Sequence, residues 1–466
     1  MNLNYERTNV WEKLSEEEHK KVFEFGDRYK AFLDSSKTER EAVKTAVKIA
    51  EKAGFLPMEK ALKGNLTRGS KFYLNQKGKA LVLFVLGENI EDGMNIVGSH
   101  LDCPRLDVKQ VPLFEGKNLC MLKTHYYGGV KKYQWPTIQL AIHGVVYTKK
   151  GEKIELSIGE KEDDPVFYIN DLLIHLSAEQ MKKTLAEGIS GEALNVVVGH
   201  SSYRNIDQTE KEKKEDKTPV KSMILKYLNE TYGMIEEDFM VSELEIVPAA
   251  KARDVGFDRS MIAAHGHDDR VCSYAALESI CSIENPKRTA VALLVDKEEI
   301  GSVGNASMNS RFFEDAVAEI IHAQGGADII SRRAIRNSKV LSADVTCAID
   351  PIYHEVSEPM NSSLSGCGVT ISKYTGSRGK SGSNDANAEF LQELRMLFDE
   401  NEVIWQTGEL GKIDAGGGGT IAYILANYGA EVVDIGTGML SMHAPIELLS
   451  KADSYMTMKA YHAFLK

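Results

Sequence analysis

The sequence predicts an α/β protein with a mostly parallel central sheet, split by an inserted β-rich domain. Three observations carry that expectation. Short apolar runs rich in β-branched residues alternate with segments of helical periodicity near both ends of the chain. Between about 106 and 248 that alternation gives way to strand-like pieces parted by Gly- and Lys-rich turns. Acidic and imidazole side chains collect just past the apolar runs, where open α/β sheets bind their ligands.

Two helices open the chain. Ser15 with Glu18 forms a capping-box pattern ahead of Phe23, Phe25, Tyr29 and Phe32. Thr38 with Glu41 repeats it ahead of Val43, Ala46, Val47 and Ala50, and Gly54 is the expected stop. KALVLFVLG (79–87) and MNIVGSHLD (94–102) read as neighbouring buried strands. In the insert, IQLAIHGVVYT (138–148) and EKIELSIG (152–159) are strand-like, and the charge run at 207–221 is an exposed loop or disordered segment. After 249 come strands AVALLVD (290–296), KVLSADV (339–345), VTISKYT (369–375), EVIWQTG (402–408) and EVVDIGTG (431–438), with helices over 269–283 and 386–397 between them. The expected organisation is one split domain, 1–105 with 249–466, and an inserted domain at 106–248, with no internal repeat.

The bulk numbers set limits. A chain of 466 residues, 43% hydrophobic and 27% charged, buries core enough to fold without disulfides or a structural metal. A net charge of -12 excludes the basic footprint that binding nucleic-acid phosphates requires. The six cysteines lack CxxC spacing and fit reduced thiols. The first residues lack an apolar signal-peptide core, and no run is long enough to span a membrane, so the expected location is the cytoplasm.

HLD (100–102), HDD (267–269), DKEE (296–299), SAD (342–344) and the MHAPIE segment around His443 all fall at or just past strand ends. Singly, each has an ordinary explanation: a hydrogen-bonded core histidine, a helix N-cap, a solvated acidic pair. Five together point to a convergent site. Nitrogen and oxygen donors without cysteine suit catalytic zinc, cobalt or manganese. Two histidines with several carboxylates are too many for one zinc and suit two metals about 3.5–4 Å apart.

GSHLDCPRLDVK (98–109), GHDDRVCSYAAL (266–277), VDKEEIGS (295–302), LSADVT (341–346) and MLSMHAPIELLSKAD (439–453) resemble the five signature blocks of the aspartyl aminopeptidase family. These are di-zinc aminopeptidases related to the vacuolar aminopeptidase I enzymes. The resemblance implies two divalent ions per subunit, zinc in the first instance, with His100 and Asp344 on one, Glu299 and His443 on the other, and Asp268 bridging. It implies Asp102 as the partner that orients His100, Glu298 as general base, and a cis peptide bond at Asp268–Asp269. PVFYINDLLIHLSAEQ (165–180) resembles the family segment whose histidine enters a neighbouring subunit's site, which makes His175 an oxyanion stabiliser in trans, although Asn170-Asp171 replaces a Pro-containing pair there. Lys373 falls in the family's specificity strand and would pair with an acidic N-terminal residue; the segment here is longer and richer in Gly and Ser. Short peptides are the implied substrates. The implied assembly is a homododecamer of dimers, with the insert as dimerisation domain.

The glycines of KIDAGGGGTIA (412–422) lack the P-loop ending. Backbone approach to substrate at Gly417 and Gly418 and a plain flexible turn are both open. Two rival functions stand beside the aminopeptidase reading. A deacylase or carboxypeptidase would need a guanidinium clamp, for which Arg270 and Arg378 are available. A scaffold with a relic metal site would have lost a ligand or the base, yet every position is filled.

Overall fold

The computed structural model describes residues 3–203 and 216–466. Both N-terminal helices start where their caps predict. Ser15 and Glu18 close a full capping box ahead of Glu16–Asp34, and Thr38 accepts from the Glu41 amide ahead of Glu39–Lys52. Val22, Phe25, Tyr29 and Phe32 form the buried stripe of the first helix, while Phe23 is half-buried.

The chain separates into two compact units, one of Met1–Cys103, Ala252–Met442 and Glu447–Lys466, the other of Pro104–Lys251 with His443–Ile446. Among the described residues, nine strands of the first unit form one sheet. Their order is Leu56–Pro57, Lys71–Gln76, Ala80–Val85, Thr289–Val295, Met94–His100, Lys339–Ala343, Glu431–Gly436, Val369–Ser372, Trp405–Thr407. The central four strands, Thr289–Val295 to Glu431–Gly436, pair in parallel. The sequence reading placed Ala80–Val85 beside Met94–His100. Instead Thr289–Val295 lies between them, antiparallel to one and parallel to the other.

Side chains that alternate along each strand divide the core in two. Leu81, Leu83 and Val85 face a cluster built with the helices Glu16–Asp34, His267–Cys281 and Lys451–Leu465. Val82 and Phe84 face another, with Phe312–Ala323 and Ala422–Ala426. The result is a three-layer α/β/α arrangement. A five-stranded sheet, which includes Met261–Ala264 and Glu447–Ser450, belongs to the same unit.

The second unit is β-rich. Its strands pair antiparallel in the order Ser242–Pro248, Arg105–Gly116, Leu119–Tyr127, Val196–Gly199, Phe167–Tyr168, Gln139–Tyr147, Lys153–Ile158, and Ser242–Pro248 pairs again with Gln139–Tyr147 to close a ring. Inside lie Leu106, Trp135, Ile142 and Ile246. Most of the charge run lies outside the described residues; its end begins the helix Pro219–Tyr232. Among the described residues no helix is long and apolar enough to cross a membrane.

Gly144 keeps the ring closed. Its φ is +134°, and a Cβ there would stand 1.9 Å from the Glu243 carbonyl oxygen of the paired strand. Gly144→Ala is expected to cost roughly 3 kcal/mol through strain and loss of ladder bonds. A thermal melt should show a lower Tm; an unchanged Tm would mean that the two strands separate freely here.

Candidate metal centre

The site begins with strand register. Met94–His100 and Thr289–Val295 run parallel with His100 opposite Val295, and the Leu101 amide continues the ladder to the Val295 carbonyl at 2.8 Å. The segments HLD and DKEE therefore leave the sheet at one level. On the other edge of Met94–His100, Lys339–Ala343 delivers Asp344 just past its end. Gly436 lets that strand end pass: a Cβ at 436 would lie 1.9 Å from the Asp344 carbonyl oxygen.

The third source is the start of the helix His267–Cys281. Gly266 takes a left-handed N-cap conformation (φ 78°), and Asp268 and Asp269 have non-helical dihedrals joined by a cis peptide bond. The doubled acid thus does not cap the helix. Both carboxyls are buried, and the Asp268 amide donates to Glu447 Oε2 at 3.1 Å.

These elements converge on His100. Its Nε2 lies 3.2 Å from Asp268 Oδ1 and 3.9 Å from Asp344 Oδ1. Donor atoms of His100, Asp268 and Glu299 lie within 4.8 Å of one another, and so do those of His100, Asp269 and Asp344. Burial alone would push the His100 imidazolium down, but the carboxylates of Asp102 and Asp268 beside it hold it well above the usual histidine range. Burial pushes the carboxyls of Asp269 and Asp344 well up, and for Asp344 the charges of Asp269, Asp268 and Glu298 add to this while His100 opposes it. Imidazole and crowded, buried carboxylates without a thiolate are what a divalent cation fits, since it neutralises charge that water cannot reach.

His100 Nδ1 donates to the backbone carbonyl of Asp102 at 2.9 Å, so Nε2 is the ring nitrogen that faces the cluster. His443 falls in the second unit with φ 64°, and its Nδ1 donates to the Gly129 carbonyl at 2.9 Å. Asp102 is completely buried. Its carboxylate accepts from the amides of Glu298 and Glu299, which form the one-turn helix Glu298–Ile300.

The remaining predicted residues are not among the side chains grouped as possible metal ligands in the described residues. His175 is exposed on the single turn Ile174–Leu176, and Leu173, Ile174 and Leu176 are exposed beside it. Lys373 lies 3.6 Å from Asp385, which Lys380 holds at 3.0 Å. Glycine at 416 and 417 has a packing cause: a Cβ would meet the Leu410 or the Gly376 carbonyl oxygen at 2.0 Å. Gly418 accepts from the Gly376 amide. Arg270 is buried and donates to the Leu101 and Lys37 carbonyls, so it is committed to the backbone and is not a clamp for a terminal carboxylate. Sequence reasoning passed over two acids. Asp269 joins His100 and Asp344, and its signal was the doubled acid itself; Glu447 fixes the Asp268 amide and left no local signal.

An imidazole and several carboxylates gathered at the carboxyl ends of a parallel α/β sheet are the centre of a metallohydrolase. Comparison narrows the class. Residues 32–465 match the family model described as aminopeptidase I zinc metalloprotease (M18). A probable M18 family aminopeptidase 1 of Clostridium acetobutylicum is 50% identical over 464 residues, covering 99% of this chain and 98% of that protein. The crystal structure of the M18 aminopeptidase of Thermotoga maritima superposes with a TM-score of 0.93 at 42% identity, covering 99% of this chain and all of that one. The S. cerevisiae mApe1 dodecamer shares the fold at 22% identity, with a TM-score of 0.74 over 94% of this chain and 95% of its own. The chain belongs to the M18 family of zinc metallo-aminopeptidases.

Behind the aspartates, His267 Nε2 donates to the Ile262 carbonyl at 3.1 Å, so Nδ1 must accept the Tyr29 hydroxyl at 2.8 Å. Burial pushes this imidazole down to about 3, and it stays neutral. Tyr29→Phe strands that buried nitrogen and is expected to cost about 1–3 kcal/mol. Denaturant unfolding would measure it; a change under half a kcal/mol would mean that water replaces the hydroxyl.

Proposed function

We propose that this enzyme removes single N-terminal residues from short peptides at a centre for two zinc ions. His100 and Asp344 hold one, Glu299 and His443 the other, and Asp268 lies between them. The convergence of His100 with Asp268 and Glu299 on one side and with Asp269 and Asp344 on the other carries this reading. Bound there, the ions would supply Lewis acidity to the scissile carbonyl and make an adjacent water more acidic. Glu298 is the general base: it takes the proton of the attacking water and returns it to the departing amine. The surplus of carboxylates suits a free α-amino group better than a terminal carboxylate, which favours an aminopeptidase over a carboxypeptidase.

Glu298→Gln should keep zinc and lose on the order of 10²–10⁴ in turnover, because the amide fills the space without accepting a proton. Exhaustive chelation should abolish turnover while circular dichroism stays native, since the core does not depend on the ions. Near-wild-type turnover of the zinc-loaded variant would move the base elsewhere; full activity in a metal-stripped sample would end the metalloenzyme reading.

Specificity and assembly follow from the outlying residues. Lys373 would receive an Asp or Glu side chain at the substrate's first residue, in competition with Asp385. Gly417 and Gly418 would present backbone groups to the peptide. The exposed apolar turn around His175 suits a second copy of this chain, with His175 stabilising the oxyanion in the partner's site and the dimers assembling into a dodecamer. His175→Ala should then lower kcat with KM nearly unchanged, and co-assembly with Glu298→Gln subunits should restore part of the activity. A fully active monomer at nanomolar dilution would refute assembly and the trans histidine together.

A further inference from the structure

Any account of Asp102 must say where its carboxylate goes. The group that fixes the His100 tautomer is the backbone carbonyl of Asp102, at 2.9 Å from Nδ1, whereas the side-chain Oδ1 stands off at 3.4 Å. The carboxylate turns the other way. Oδ1 accepts from the Glu298 amide at 3.1 Å and Oδ2 from the Glu299 amide at 3.2 Å. Both amides donate to one charged carboxylate that is itself completely buried, which strengthens such bonds.

The turn it holds is a single one. Lys297 enters it with φ 70° and Gly301 leaves it with φ 94°, so Glu298–Ile300 is one isolated turn between two left-handed residues. An isolated turn leaves its first amides without intrahelical acceptors. Asp102 supplies both from the neighbouring strand end, brought there by the His100–Val295 register.

We infer that Asp102 is a positioning residue for the Glu298–Glu299 turn: its carboxylate holds the backbone that carries the base, while its own backbone carbonyl, independent of side-chain identity, orients His100. The inference rests on the base assignment above for its catalytic consequence, but not for its structural content.

Asp102→Asn separates the two roles, because it keeps volume and backbone while offering one acceptor and turning an N–H toward the other amide. In the zinc-loaded variant kcat should fall about 10–100-fold, the range typical of lost outer-sphere support. KM should stay within about threefold and zinc content should be unchanged. In the Glu298→Gln background the same change should add nothing, since the residue through which it acts is gone. Hydrogen exchange supplies a readout that needs no activity. The Glu298 and Glu299 amides should be protected in the native enzyme and exchange at least tenfold faster in Asp102→Asn or, if that variant folds poorly, in Asp102→Ser. Unprotected amides in the native enzyme, unchanged exchange in the variant, or zinc lost in step with activity would overturn the inference and return the carboxylate to His100. If Glu298→Gln itself proves active, the base assignment falls, and the exchange data still decide whether Asp102 holds the turn.

Discussion

The centre depends on one register. His100 lies opposite Val295 in a parallel pair, and the Leu101 amide extends that pairing by one bond beyond the strand. A slip of one residue would turn His100 to the other face of the sheet and carry the following turn away from Asp102. Register is held by burial on both faces, because every residue of Thr289–Val295 is buried and each alternate side chain is committed to a different core. The apolar layers thereby place the polar cluster at the end of the sheet.

The chemistry is assembled from short pieces of unlike geometry. A strand end supplies His100, a cis-linked helix start supplies Asp268 and Asp269, an isolated turn supplies Glu299, and a second strand end supplies Asp344. Each has its own backbone anchor: Glu447 on the Asp268 amide, Asp102 on the Glu298 and Glu299 amides, and close passage of Gly436 beside Asp344. Buried carboxylates repel one another at this spacing, so the anchors do structural work against the charge of the groups they hold.

Local chemistry was readable from residues alone. Ser15 with Glu18 and Thr38 with Glu41 act within four residues of chain, and the structure forms both caps. Acidic and histidine residues past apolar runs revealed the cluster for the same reason, since a strand end is a local event. Strand order was not readable. Ala80–Val85 and Met94–His100 are close in sequence yet separated by a strand some 200 residues on, because a parallel neighbour comes from a distant crossover. Glu447 escaped notice because its role is a single bond to an amide 179 residues away. The exposure of His175 was not readable either, because apolar neighbours look the same in sequence whether they face a core or another molecule.

Both imidazoles are oriented by main-chain oxygens, His100 by that of Asp102 and His443 by that of Gly129. Alanine scanning is blind to such acceptors: every residue type presents the same carbonyl, so a survey of side chains would record the histidines as important and find nothing that steers them. Only a change to the chain itself reaches this layer. At Asp102 an ester in place of the following peptide unit would weaken the oxygen as acceptor and leave the side chain as it is. The part of the centre most tolerant of sequence drift is therefore also the part that ordinary genetics cannot see.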